Sequence, residues 1–103
     1  MSKQFVVGEV YFRIKYAEAF GRYPLIDSFV FVGINLSDED TEDTWYFQFA
    51  DSYAKSGSIL DPTSGDDRRV SCLTANDTEE MLNDEQLLIE LDHARRRRSN
   101  HAV

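Results

Sequence analysis

The densest chemistry in the sequence lies between Ser37 and Thr44, where Asp38, Glu39, Asp40, Glu42 and Asp43 crowd carboxylates into one short run. Such a run could take a divalent cation, work as acid–base pairs, or meet the Lys and Arg of another protein. A calcium loop fails on spacing. It needs Gly at its sixth position and Glu at its twelfth, and counting from Asp38 those positions hold Asp43 and Phe49. A looser, water-rich cation site, a solvated hairpin loop and an acidic lip for a basic partner remain. Asp61, Asp66 and Asp67 extend that lip only if the fold brings them beside it.

Other reactive residues are sparse. His93 and His101 stand near the end of the chain with only the distant Cys72 to join them, short of the ligand set a zinc site needs. The lone Cys72 sits in a strand-like stretch and reads as a small buried hydrophobe rather than an activated thiolate. No Gly-x-Ser-x-Gly elbow and no Gly-rich phosphate loop occurs. Carboxylate pairs for glycoside chemistry depend on spacing in three dimensions, and this many acids produce chance pairs. The sequence therefore assigns no catalytic residue, no metal ligand and no cofactor. Arg95–Arg98 read as a phosphate or anionic-lipid patch, as complements to a helix dipole, or as partners for the domain's own acids.

Aromatic residues offer a contact surface. Tyr11 and Tyr46 fall on the polar sides of their strands, flanked by Arg13 and Gln48, and are expected on an open sheet face. Tyr is enriched in interface hot spots, though cross-strand Tyr pairs also stabilise sheets alone. Trp45, Phe47 and Phe49 alternate with Tyr46 and are expected in the core beneath a helix.

These residues need elements to position them. Residues 1–17 hold a strand in which Val10, Phe12, Ile14 and Tyr16 alternate with Glu9, Tyr11, Arg13 and Lys15. Residues 25–36 form a second strand, apolar on both sides and hence central. Residues 44–49 form a third, rich in the residues β-structure favours. One helical turn is expected over 51–56, capped by Asp51 and stopped by Gly57. A loop at 61–67 and a weak fourth strand at 68–74 follow. A C-terminal helix spans 78–98, with Leu87, Leu88, Leu91 and Ala94 at helical spacing. Its start is open between Asn76 or Asp77 and Asn83 or Asp84, each a possible cap; residues 99–103 form a frayed tail. The expected fold is α+β: a three- to four-stranded antiparallel meander with the amphipathic helix packed on one face, as a single domain over residues 1–103.

Charge narrows the partners. Eleven Lys and Arg oppose nineteen Asp and Glu; with four of the bases at Arg95–Arg98, the other seven leave residues 1–94 at −12. A body this acidic repels phosphate backbones, so direct nucleic-acid binding is not expected. Nothing approaches a membrane span, no signal core opens the chain, and one cysteine makes no internal disulfide. A cytoplasmic setting is expected. Size, charge and missing catalytic groups match small acidic inhibitors of immunity-protein, antitoxin or phage anti-defence type. The expected function is therefore a non-enzymatic protein-binding module that inhibits a basic partner, such as a toxin or nuclease. It would use Asp38, Glu39, Asp40, Glu42 and Asp43 as its lip and Tyr46 and Tyr11 as aromatic anchors. The alternatives are a homo-oligomeric structural subunit, a homodimer among them, and a small ligand-binding domain or enzyme.

Overall fold

Alternation along the N-terminal stretch does produce a strand, β1, but only over Val10–Tyr16. It belongs to a computed structural model that describes residues 4–63 and 65–101, His101 by its backbone alone. Strands β2 (Pro24–Ile34) and β3 (Trp45–Phe49) follow, then helix α1 (Ala50–Ser56) and β4 (Val70–Leu73). A 3-10 turn at Asp77–Glu80, the two-residue β5 (Met81–Leu82) and helix α2 (Asp84–His101) complete the order. All pairings are antiparallel and the sheet runs β4-β3-β2-β1-β5. The architecture is α+β, a four-strand meander with a fifth strand added beside β1. The fifth strand was not expected; it pairs only Met81 with Arg13 and Leu82 with Phe12.

β1 starts late because the chain turns before it. Glu9 donates its N–H to the Val6 carbonyl at 3.1 Å, and Gly8 donates to the Phe31 carbonyl at 2.9 Å. Phe5 is thereby folded onto Tyr11, with ring centroids 4.9 Å apart, and onto Phe47 at 5.1 Å. β2 ends at Ile34, where Asn35 takes φ 55°. Just before it, the β2–β3 register shifts between Phe31 and Gly33. Gly33 holds φ 150° there, and a Cβ would stand 2.9 Å from the Leu36 side chain, so only glycine suits this bulge.

Register sets Tyr11, Phe29 and Phe49 side by side on one face, with Phe31 and Phe47, Trp45 and Leu73, and Arg13 and Met81 around them. Tyr11, Phe29, Phe31, Trp45, Phe47, Leu73 and Met81 form the buried cluster, and Phe5 and Phe49 pack against it. Each edge-on or tilted ring pair adds about 1 kcal/mol beyond the area it buries. Two expectations are corrected here. Tyr11 is not on an open face but within the core, 7% exposed. The cluster contains no residue of α2, so Trp45, Phe47 and Phe49 are core without being roofed by that helix.

α2 flanks β1 and β5 instead, meeting the sheet from the side of Tyr16. Ala94 is fully buried and Leu87 and Leu91 are half-buried, while Leu88 is 66% exposed. Asn83 and Gln86 fix its start: each side-chain oxygen accepts the other residue's N–H at 2.9 Å, a reciprocal capping pair. The later of the two possible starts is the real one. Asn76 and Asp77 head the 3-10 turn instead. At the far end residues 99 and 100 remain helical rather than frayed; residues 1–3 and 102–103 of the expected strand and tail lie outside the described residues. α1 begins one residue early, its N-cap is Phe49 without a side-chain cap from Asp51, and Gly57 ends it by donating to the Tyr53 carbonyl at 2.8 Å.

The chain is long and flat, 54 × 32 × 22 Å. Its surface of 6946 Å² exceeds by about 1,000 Å² that of a compact globule of the same mass. Among the described residues no helix is long and apolar enough to cross a membrane.

Candidate functional site

The acidic run is the connection between β2 and β3, and it is ordered from its mouth outward. Asn35 closes the mouth. Its backbone N–H reaches the Thr44 carbonyl at 2.8 Å, its side-chain oxygen accepts the Thr44 N–H at 2.8 Å, and its amide donates to Asp43 at 3.0 Å. Asn tolerates the left-handed conformation this requires. Beyond it Ser37 and Asp40 form a tight turn, with the Asp40 N–H on the Ser37 carbonyl at 3.1 Å and the Ser37 N–H on the Asp40 carboxylate at 3.2 Å. The Tyr46 hydroxyl then donates to both Asp40 oxygens, at 2.8 and 3.0 Å.

Five carboxylates thus divide into two kinds. Asp40 and Asp43 hold the loop in shape. Asp38, Glu39 and Glu42 are exposed, and among the described residues no basic side chain lies within ion-pair distance of any of the five. Tyr46 serves this loop rather than an open surface. It is only 9% exposed, and its hydrogen bond to Asp40, together with burial, holds the phenol protonated up to about 12. Tyr11 lies on the opposite face, where its hydroxyl accepts the Val6 N–H at 2.8 Å. The two tyrosines therefore share no surface, and neither is free as an anchor.

Arg95–Arg98 have a different job from the patch considered from sequence. Arg97 donates to the Gly21 carbonyl at 2.6 Å and to the Tyr16 hydroxyl at 3.0 Å, and Arg98 donates to the Arg22 carbonyl at 2.8 Å. Arg95 and Arg96 pair with Asp92 at 2.8 and 2.9 Å. The last turns of α2 thereby clamp the β1–β2 hairpin. Gly21 permits the close approach: at φ 71° a Cβ would meet Arg97 Nε at 3.0 Å. Glu18 organises the same hairpin by accepting the N–H groups of Phe20, Arg22 and Tyr23 and the Arg22 guanidinium. Desolvation pushes its carboxyl up, but those donors prevail and bring it down to about 2.

The remaining arginines are likewise engaged within the chain. Arg13 pairs with Asp27 and stacks on Phe29, Arg68 reaches the Ile59 and Asp61 carbonyls, and Arg69 bridges Asp51 and Asp67. Asp61, Asp66 and Asp67 belong to this other end of the β3–β4 connection, where Asp61 binds Thr63 and Asp67 binds Arg69. Among the described residues no hydrogen bond or ion pair joins them to the 38–43 loop.

Cys72 is exposed, not buried. Desolvation and the nearby Asp40 carboxylate push its thiol up, which keeps it protonated and weakly nucleophilic. A cleft of about 480 Å³ between Ile26, Phe49 and Asp51 contains carboxylate and guanidinium groups already paired with each other. Among the described residues no three His, Cys, Asp or Glu side chains converge to hold a metal ion. No family model, no curated protein and no solved structure matches the chain.

Proposed function

We propose that this chain is a small, acidic, non-enzymatic protein-binding module that inhibits a basic partner by docking the 37–43 loop against it. One observation carries the reading. Asp38, Glu39 and Glu42 project from an ordered loop that pairs with no cation among the described residues, while the chain's arginines are engaged elsewhere. An uncompensated cluster on a rigid support steers a cationic partner and loses little entropy on docking. Toxins and nucleases are the partner class this suits, because their own sites are basic enough to hold nucleic acid. A cytoplasmic setting goes with it.

Replacing Asp38, Glu39 and Glu42 by Asn, Gln and Gln tests the proposal without touching the residues that shape the loop. Tagged wild type and variant are passed through lysate of the source organism at low and moderate salt. A stoichiometric basic protein, retained by wild type, lost with salt and lost by the variant, is the expected result. Equal recovery by both chains would remove the loop from the function.

A homo-oligomeric structural subunit is the second reading, favoured by the excess surface and by Leu88 and Ile89, which stand 66% and 56% exposed on α2. Sedimentation equilibrium over a hundredfold concentration range separates the two, since an inhibitor of this kind stays monomeric until it meets its partner.

A further inference from the structure

We propose that β4 is a docking edge on which an extended, Lys- and Arg-rich segment of the partner protein adds a sixth strand beside the acidic loop. The inference rests on the acidic-loop reading above and names how the partner is held. β4 closes one side of the sheet and pairs with β3 alone. The Arg69 carbonyl turns inward to accept the Phe49 N–H at 3.0 Å. Strand alternation therefore aims the N–H and C=O of Val70 and Cys72 outward. Among the described residues nothing hydrogen-bonds them. The opposite side of the sheet differs, because β1 there is paired with β5 and flanked by α2.

Proteins usually block such an edge with Lys, Pro or inward charge. Val70-Ser71-Cys72-Leu73-Thr74 contains none of these. Charge selects the occupant. Tyr46 is the cross-strand neighbour of Cys72 and holds Asp40 on that same face, so the acidic loop brings at least this carboxylate beside the open edge. Asp77 follows the strand end, its carboxylate 3.5 Å from the Thr74 N–H. A second copy paired antiparallel across this edge would put its own acidic loop toward the Val70 end and offer this loop only arginines already engaged within its own chain. A segment with Lys or Arg at alternate positions places cations there and supplies the missing main-chain partners. Main-chain pairing gives affinity with little sequence demand, and alternate side chains give selectivity.

The probe is a capped peptide of about ten residues alternating Lys and Val, added to the full chain at low salt. A second peptide has the same sequence with every backbone nitrogen methylated, which keeps the charge and removes the donors. Binding is read by calorimetry and by amide exchange at Val70 and Cys72. The expected result is binding of the first peptide with exchange at those two amides slowed about tenfold or more, and binding of the methylated peptide weaker by about tenfold. A Cys72→Pro chain loses one outward N–H without touching the β3 ladder and is expected to bind the first peptide correspondingly less. The methylated peptide makes the same comparison should that chain fail to fold.

Equal binding of both peptides, or unchanged exchange at Val70 and Cys72, overturns the edge and leaves the acidic loop standing. Binding with full protection to the Asp38→Asn, Glu39→Gln, Glu42→Gln chain keeps the edge but overturns the loop, and with it the choice of a basic occupant. No binding of either peptide overturns the edge as a generic strand acceptor. Protection of the two amides that grows with protein concentration alone assigns the edge to a second copy and overturns the proposal.

Discussion

The two ends of β2 treat charge in opposite ways. At its start, the β1–β2 hairpin meets Arg97 and Arg98, and the Arg22, Arg97 and Arg98 guanidiniums end on a carbonyl, a hydroxyl or Glu18 of the same chain. At its end, the loop to β3 carries five carboxylates, and among the described residues not one is paired with a cation. The strand between is 11 residues long, roughly 35 Å at 3.3 Å per residue, several times the screening length of about 8 Å at physiological salt. Arginines at one end therefore cannot neutralise the other. A net charge describes neither end; what matters is which groups already have partners.

The sharpest break of that comparison is Arg97→Ala. It removes the charge-assisted bonds to Gly21 and Tyr16 and the stacking of the guanidinium on the Tyr16 ring at 5.3 Å. A loss of about 2 kcal/mol is expected, read as a fall of roughly 10 °C in melting temperature. If instead the clamp were incidental, the melting temperature would stay within a degree or two of wild type.

Acid probes the same end through Glu18. Its folded-state carboxyl, at about 2, lies below its ordinary value, so the stabilisation is present when the group is ionised. It is complete above the unfolded value near 4.5 and disappears as pH falls toward 2. Glu18→Gln is expected to flatten the acid limb of a pH–stability curve between those values. An unchanged limb would place the acid sensitivity on the Asp51–Arg69–Asp67 group instead, where both carboxyls also sit low.

At the other end Tyr46→Phe removes the hydroxyl that holds Asp40. Amides of residues 37–43 are expected to exchange faster while those of β1 and β2 hold their rates. The high-pH absorbance titration is also expected to lose its latest phenol, the one ionising near 12. A loop whose exchange did not change would owe its order to Asn35 and Ser37 alone.

Sequence pattern reveals the strands better than their sides. β2 and β3 lie within two residues of where their apolar runs place them, because Pro24 and the polar 37–43 stretch bound them on either side. The period of two in β1 was equally clear, yet it could not say which side is inside. Val10, Phe12 and Ile14 outnumber Tyr11 in hydrophobicity, and a one-residue choice exchanges the two faces. Phe5 decides it by folding back onto Tyr11, a contact made through the Gly8 turn and invisible to periodicity. β5 is too short to show any period. The arginine run was legible as charge but not as a clamp, since its acceptors are backbone carbonyls 76 residues away. The acidic loop was legible as a cluster. Its inner order was not, although an Asn directly after a strand, with its tolerance of positive φ, was an available signal.

The smallest effect on folding belongs to the variant with the largest effect on binding. Among the described residues the carboxylates of Asp38, Glu39 and Glu42 accept no hydrogen bond and form no ion pair. Converting them to Asn, Gln and Gln removes only mutual repulsion, so stability is expected to move by less than about 0.5 kcal/mol, upward if at all. The same change lowers the loop's charge from five carboxylates to two. Association with a basic partner should slow by about tenfold or more at low salt, with dissociation much less affected, and the dependence on salt should flatten. A slower association in an equally stable chain would locate function at the open end of β2. A loss of stability matching that of Arg97→Ala would instead mean that the loop's charges support the fold, and the contrast between the two ends would collapse.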